Sequence, residues 1–171
     1  DWLKRWDQYA GSSVALLDGD TGRSFTYSKL YELSLKTASL LKSRYGIGSG
    51  DRVALLAQNE IESLVLFFAL QRLAAILVPI NFRLTRREID HILDDSGAKL
   101  VLAQKDFQEQ ISHRTEIRED YDLFISLMGT NSLKHTDYLS SEEDPCMILY
   151  TSGTTGSPKG AVLSQRMLFW N

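Results

Sequence analysis

Cysteine is almost missing from this sequence. Cys146 stands alone, so no disulfide framework can form, and a reducing, cytoplasmic setting is the expectation. A long unbroken apolar run is missing as well. The strongest stretch, Ile61 to Ile80, is interrupted by Glu62, Gln71 and Arg72, which argues against a transmembrane helix. The opening DWLKRWDQYA holds no apolar signal core and no initiating methionine, so the chain reads as a piece of something longer. There is no excess of positive charge: 19 basic against 22 acidic side chains leave a net charge of -3. That excludes the basic surface from which a general nucleic-acid binder draws its affinity. Charged tails, internal repeats and low-complexity tracts are all absent. His91, His113 and His135 are too widely spaced for a zinc-type ligand set and read as surface or partly packed side chains.

What is present suffices for one sizeable core, with 171 residues of which 43% are hydrophobic. Trp2, Trp6 and Tyr9 recur at helical spacing over residues 1–10. VALLDG and RSFTY read as a short hairpin around the turn-rich DGDTG. Thr26 is placed to cap a helix carrying Leu30, Leu33, Thr37, Leu40 and Leu41 on one face, ended by the glycines of GIGSGD. Three short apolar runs, 52–58, 76–80 and 99–104, read as buried strands. Between them lie a helix at 60–75 that is apolar nearly all round and a second helix after Thr85. Thr85 and Glu88 match a capping box, and Gly97 is placed as the C-terminal stop. Asp106 is expected to cap a weaker helix, and DLFISL at 122–127 to form a further strand. The fold class expected from this β-α-β-α-β-α-β alternation is α/β, a parallel sheet flanked by helices, over residues 1–127. Residues 128–144 are polar and read as a connector; 145–171 read as strand, loop and strand opening a second unit. Cys146 falls in that strand pattern and reads as a buried, inert thiol, while Asp94–Asp95 and Glu142–Asp144 read as solvated element ends.

The chemistry-bearing segment is YTSGTTGSPKG, Tyr150 to Gly160. Glycines at 153 and 156 permit the backbone to turn its N–H groups inward on an anion. Ser152, Thr154 and Thr155 add hydroxyls, and Lys159 adds a positive charge on a flexible stem. The pattern is not G-x-x-x-x-G-K-[ST] opening a helix: Pro158 precedes the lysine, Gly160 follows it, and KGAVLS is β-like. The loop therefore joins two strands, and the ordinary nucleotide-loop reading loses ground. A ligand-free hairpin turn is the bland alternative, but such turns use about two to five residues, fewer than stand here.

YTSGTTGSPKGAVLS closely resembles the phosphate-loop signature of the adenylate-forming enzymes, which include acyl-CoA synthetases, aryl-CoA ligases, firefly luciferase and peptide-synthetase adenylation domains. FTYSKL, GIGSGDRVALLAQN and LVPINFRLTRREIDHILDDSGAKLVL resemble further blocks of that family, so the likeness runs from about Val14 onward. It implies the N-terminal part of an acyl-CoA-synthetase-like large domain. It implies activation of a carboxylic acid, a fatty acid first among candidates, by Mg·ATP to an acyl adenylate, then transfer to coenzyme A. It also implies ATP phosphate binding by Thr151, Ser152, Gly153, Thr154, Thr155, Gly156 and Lys159, a catalytic role for Lys159, and a Mg²⁺ contact for Thr151.

Gln165, Met167, Lys29 and the stretch around Ala74 depart from the usual pattern and blur the subfamily. The family's adenine and ribose contacts, its Mg²⁺-sharing glutamate and its adenylation lysine fall outside these residues, so the chain by itself is expected to be inactive. A non-catalytic phosphate- or nucleotide-binding module of the same fold and an amino-acid adenylation domain remain alternatives. The apolar strand CMILY, if left with an open edge, is expected to favour a homodimer.

Overall fold

The computed structural model describes residues 1–112, 118–130, 138–151 and 158–170. The elements follow local signals. Helix α1, Trp2–Ala10, is capped by the Asp1 side chain, which accepts from the Lys4 N–H at 3.0 Å. Strands β1, Val14–Leu17, and β2, Ser24–Thr26, form the expected hairpin as a separate antiparallel pair. Helix α2, Tyr27–Tyr45, begins at Thr26, whose hydroxyl accepts from Lys29 N–H, and stops at Gly46 in the left-handed conformation.

Strand β3, Arg52–Leu56, leads through helix α3, Ile61–Arg72, to β4, Ile76–Ile80. Helix α4, Arg86–Ser96, has both halves of the Thr85/Glu88 capping box and ends at left-handed Gly97. It leads to β5, Leu100–Ala103. The expected strands thus appear at their expected places, trimmed by a residue or two.

Two expectations fail here. Residues 122–127 are not a strand but lie within helix α5, Tyr121–Met128. The Asp120 carboxylate accepts from the N–H groups of Asp122 and Leu123, which starts a helix, and Tyr121, Phe124 and Met128 then share its buried face. The strand of this region is the preceding β6, Arg118–Asp120, paired parallel to β5. Asp106 caps nothing: Lys105–Gln110 is a 3₁₀ turn that begins at Gln104 with no side-chain cap.

Strands β7, Pro145–Thr151, and β8, Lys159–Ser164, form an antiparallel pair, and β7 lies parallel to β4 with Leu77 opposite Met147. One six-stranded sheet results, in the order β6-β5-β3-β4-β7-β8, parallel except for β8. Residues 145–151 and 159–164 thus lie in the same sheet as β3, β4 and β5. A short helix α6, Gln165–Phe169, follows β8.

The two-residue period of the strands divides the core. Val53, Leu55, Leu77, Leu100 and Leu102 face α2, α3 and α5; Ala54, Leu56, Val78, Val101 and Ala103 face α4. Both faces are covered, which is why these strands read as continuous apolar runs. After residue 137 the chain returns to the sheet along the end of α3. There the Leu139 N–H donates to the Arg72 carbonyl at 3.0 Å, and Ser140 hydrogen-bonds the Gln71 carbonyl. The Arg72 side chain is buried beside them. It pairs with the Asp1 carboxylate and lies over the rings of Tyr31 and Tyr138, at 5.4 and 5.6 Å.

Candidate functional site

Parallel strands put all their C-terminal ends on one edge. Along that edge, β3 feeds α3 on one face of the sheet while the adjacent β4 feeds α4 on the other. Their loops must part, and an open α/β sheet takes ligands in the crevice left at such a switch point. A hollow of about 1690 Å³ opens there and runs along β4 and β7 as far as Gln71, Tyr138 and Ser140. Gln58 and Asn59 reach it from the end of β3, Asn81 and Arg83 from the end of β4, and Tyr150 and Thr151 from the end of β7. One wall is apolar, made by Leu64, Phe67 and Phe68 of α3 with Trp2 of α1, whose ring stacks on Phe68 at 5.4 Å. The all-round apolar character of α3 is explained by this wall: part of it faces the core and part faces the hollow.

The site residues expected from the sequence are placed as follows. Thr151 is the last residue of β7 and Lys159 the first of β8; both are exposed, and they stand opposite each other in the ladder. Ser152, Gly153, Thr154, Thr155 and Gly156 lie outside the described residues. The loop joins two antiparallel strands, as KGAVLS indicated, and not a strand and a helix. Among the described residues no three His, Cys, Asp or Glu side chains are grouped to hold a metal ion. His113 and His135 lie outside the described residues.

Next to the site, Cys146 is buried in β7 with its Sγ 3.4 Å from the Leu163 carbonyl. Burial pushes its thiol up to about 11, so at neutral pH it holds its proton and is a poor nucleophile. No helix among the described residues is long and apolar enough to cross a membrane.

Three polar side chains around the loop have partners that the sequence did not reveal. Tyr150 donates its hydroxyl to Asp95 of α4 at 2.6 Å, so Asp95 is exposed but not merely solvated. Burial first, and then the Asp95 carboxylate, push the Tyr150 hydroxyl well above its ordinary range, so it stays a donor at any ordinary pH. His91, one turn earlier on α4, has Nε2 3.1 Å from the Pro158 carbonyl. The only signal for these in the sequence was a histidine and an aspartate four apart on one helix flank.

Strand ends at a switch-point crevice, joined by a glycine- and hydroxyl-rich segment, suit an anionic nucleotide, and the comparison with known proteins agrees. Residues 3–171 match the family described as AMP-binding enzyme. The chain belongs to this family. It is 34% identical over 175 residues to a feruloyl-CoA synthase of Amycolatopsis sp, covering 99% of this chain and 34% of the relative. It is 33% identical over 156 residues to the fatty acid–[acyl-carrier-protein] ligase ScoC of Streptomyces coeruleorubidus, covering 86% and 30%. A fatty acyl CoA synthetase structure from Mycobacterium tuberculosis superposes with a TM-score of 0.86 at 28% identity, over 95% of this chain and 34% of that one. The chain spans about a third of the length of the relatives it matches. The likeness to that synthetase extends over the mainly parallel sheet and both helical layers.

Proposed function

We propose that the chain supplies the phosphate-handling part of an ATP-dependent acid–thiol ligase, an acyl-CoA synthetase. One observation carries this reading: in an AMP-binding family chain, Thr151 lines the switch-point hollow and stands opposite Lys159 in the ladder, at the stem of the glycine-rich segment. In the first step, a carboxylate oxygen of the acid bonds to the α-phosphorus of ATP, and the bond from that phosphorus to pyrophosphate breaks. Negative charge gathers on the departing pyrophosphate. Lys159, with the N–H groups and hydroxyls of Ser152, Gly153, Thr154, Thr155 and Gly156, is the donor set that answers it. In the second step, the thiol sulfur of coenzyme A bonds to the acyl carbon and AMP leaves.

The apolar wall and the fatty acid in ScoC's name favour a fatty acid. Thr151 offers the hard oxygen that Mg²⁺ prefers, so it is the residue of this chain that would hold the ion beside the phosphates. Bound there, Mg²⁺ would neutralise phosphate charge. A reducing, cytoplasmic setting suits the single buried thiol. Residues 145–171 open the next unit of the longer protein in this reading.

The test is pyrophosphate binding by the 171-residue chain. Weak affinity, on the order of millimolar, is expected. Lys159→Ala should weaken it about tenfold and added salt should erode it, whereas Lys105→Ala, on the 3₁₀ turn, should leave it unchanged. Equal affinity in Lys159→Ala would overturn the phosphate reading. Acid-dependent exchange of labelled pyrophosphate into ATP, over fatty and aromatic acids, should stay at background with this chain alone. Exchange above background would show that the phosphate-side contacts suffice for the first step.

A homodimer is proposed through β8. It is the last strand of the sheet, and its residues 159–162 are exposed, so its outer N–H and C=O groups can pair with a second copy. Light scattering should show a dimer at high concentration. A strict monomer would exclude the pairing.

A further inference from the structure

The contacts from α4 reach both stems of the candidate phosphate segment. His91 and Asp95 are four residues apart, hence on one flank of the helix. Asp95 grips Tyr150, the residue before Thr151. His91 grips Pro158, the residue before Lys159. Each contact therefore acts one residue away from a candidate phosphate ligand, one near the end of β7 and one just before β8.

The surroundings are built for this. At 2.6 Å the Tyr150–Asp95 bond has the length of a charge-assisted O–H···O⁻ bond, roughly twice as strong as a neutral one. The Pro158 carbonyl can only accept, so the proton of His91 sits on Nε2. Tyr150 stands opposite Gly160 in the ladder, and its ring lies across that glycine. A Cβ at Gly160 would come within 3.0 Å of Tyr150 Cζ and 2.9 Å of Ile148 Cγ2, so a side chain there would require Ile148 or the ring to shift. The helix itself is fixed: Ile89, Ile92 and Leu93 are buried against β3, β4 and β5, and both its ends are capped.

We infer that α4 is a clamp, with His91 and Asp95 as positioning residues that hold the ends of β7 and β8 at the separation in which Thr151 and Lys159 flank a phosphate. This rests on the phosphate reading above, and it adds to it two residues outside the glycine-rich segment.

The experiment reads the two stems and the ligand separately, on the 171-residue chain and its variants. Amide exchange of residues 149–151 and 159–161 is followed by NMR, with the amides of β3 and β5 as internal reference. Asp95→Ala and Tyr150→Phe should each speed stem exchange about tenfold, and the double variant should be no faster than either, because both remove one bond. His91→Ala should act likewise, and His91→Gln, whose amide can still donate, should restore protection. Pyrophosphate affinity should fall about tenfold in Asp95→Ala and His91→Ala and recover in His91→Gln.

Unchanged stem exchange in Asp95→Ala and His91→Ala, with the reference amides intact, overturns the clamp. Faster exchange with unchanged pyrophosphate affinity overturns the positioning role. If the unmodified chain binds no pyrophosphate while the variants still loosen the stems, the clamp on the strands is supported, and it is the phosphate reading that falls.

Discussion

Phe124→Ala should lower the unfolding free energy by about 3–5 kcal/mol in denaturant titration, among the larger losses a single truncation produces. Phe124 is fully buried on α5, between the Tyr45 ring at 6.1 Å and the core shared by α2 and α3. Its removal leaves a cavity that three packed helices cannot close. The neighbouring Leu123 is 47% exposed, and Leu123→Ala should cost about 0.5 kcal/mol or less. Together with a comparably large loss in Tyr121→Ala, also fully buried, the contrast tests the helix. A strand over 122–127 would put Phe124 on the same face as Asp122 and Ser126, and it could not share a face with both Tyr121 and Met128. Similar losses at 123 and 124 would contradict the helix.

Arg72→Ala should cost about 3 kcal/mol, the scale for stripping one member from a nearly buried ion pair. Side-chain exposures of 6% for Arg72 and 12% for Asp1 leave little water to replace the lost guanidinium. The rings of Tyr31 and Tyr138 lose their cation at the same time. Arg72→Lys should recover only part, because an ammonium lacks the planar, weakly hydrated guanidinium face that suits contact with the Tyr31 and Tyr138 rings. Since Tyr138 begins the run that returns the chain to β7, amide exchange at Leu139 should quicken in Arg72→Ala. Stability within about 0.5 kcal/mol of the unmodified chain would show that the ion pair and the ring contacts contribute little net.

The parts of the fold legible in the sequence were those where one local signal had one meaning. Thr85 with Glu88, Gly97 and the run ILVPI each specified a helix start, a helix stop and a strand, and each is where it was expected. DLFISL failed because a short apolar run carries no period that separates strand from helix; the deciding signal was Asp120, just outside it, acting as a cap. Likewise, polar 128–144 concealed the packing of Tyr138 and Ser140, since nothing local marks an approach to Arg72 and Gln71 some seventy residues away. The chemistry proposed for the glycine-rich segment could be read locally because it uses that segment's own backbone and adjacent side chains. Asp95 and His91 did not, because their partners Tyr150 and Pro158 come from the other end of the chain.

The strand order has a bearing on how the protein is made. Of the six strands of this sheet β3 emerges first from the ribosome and lies inside it; β4 then adds on one side and β5 on the other. β6 extends the β5 side, β7 the β4 side, and β8 closes on β7. Every strand therefore joins an edge that already exists when it is synthesised, and none has to be inserted between two partners already paired. A nascent chain can lay down these six strands outward from the centre without reopening any pairing, so the stems of the glycine-rich segment join after the four strands that precede them.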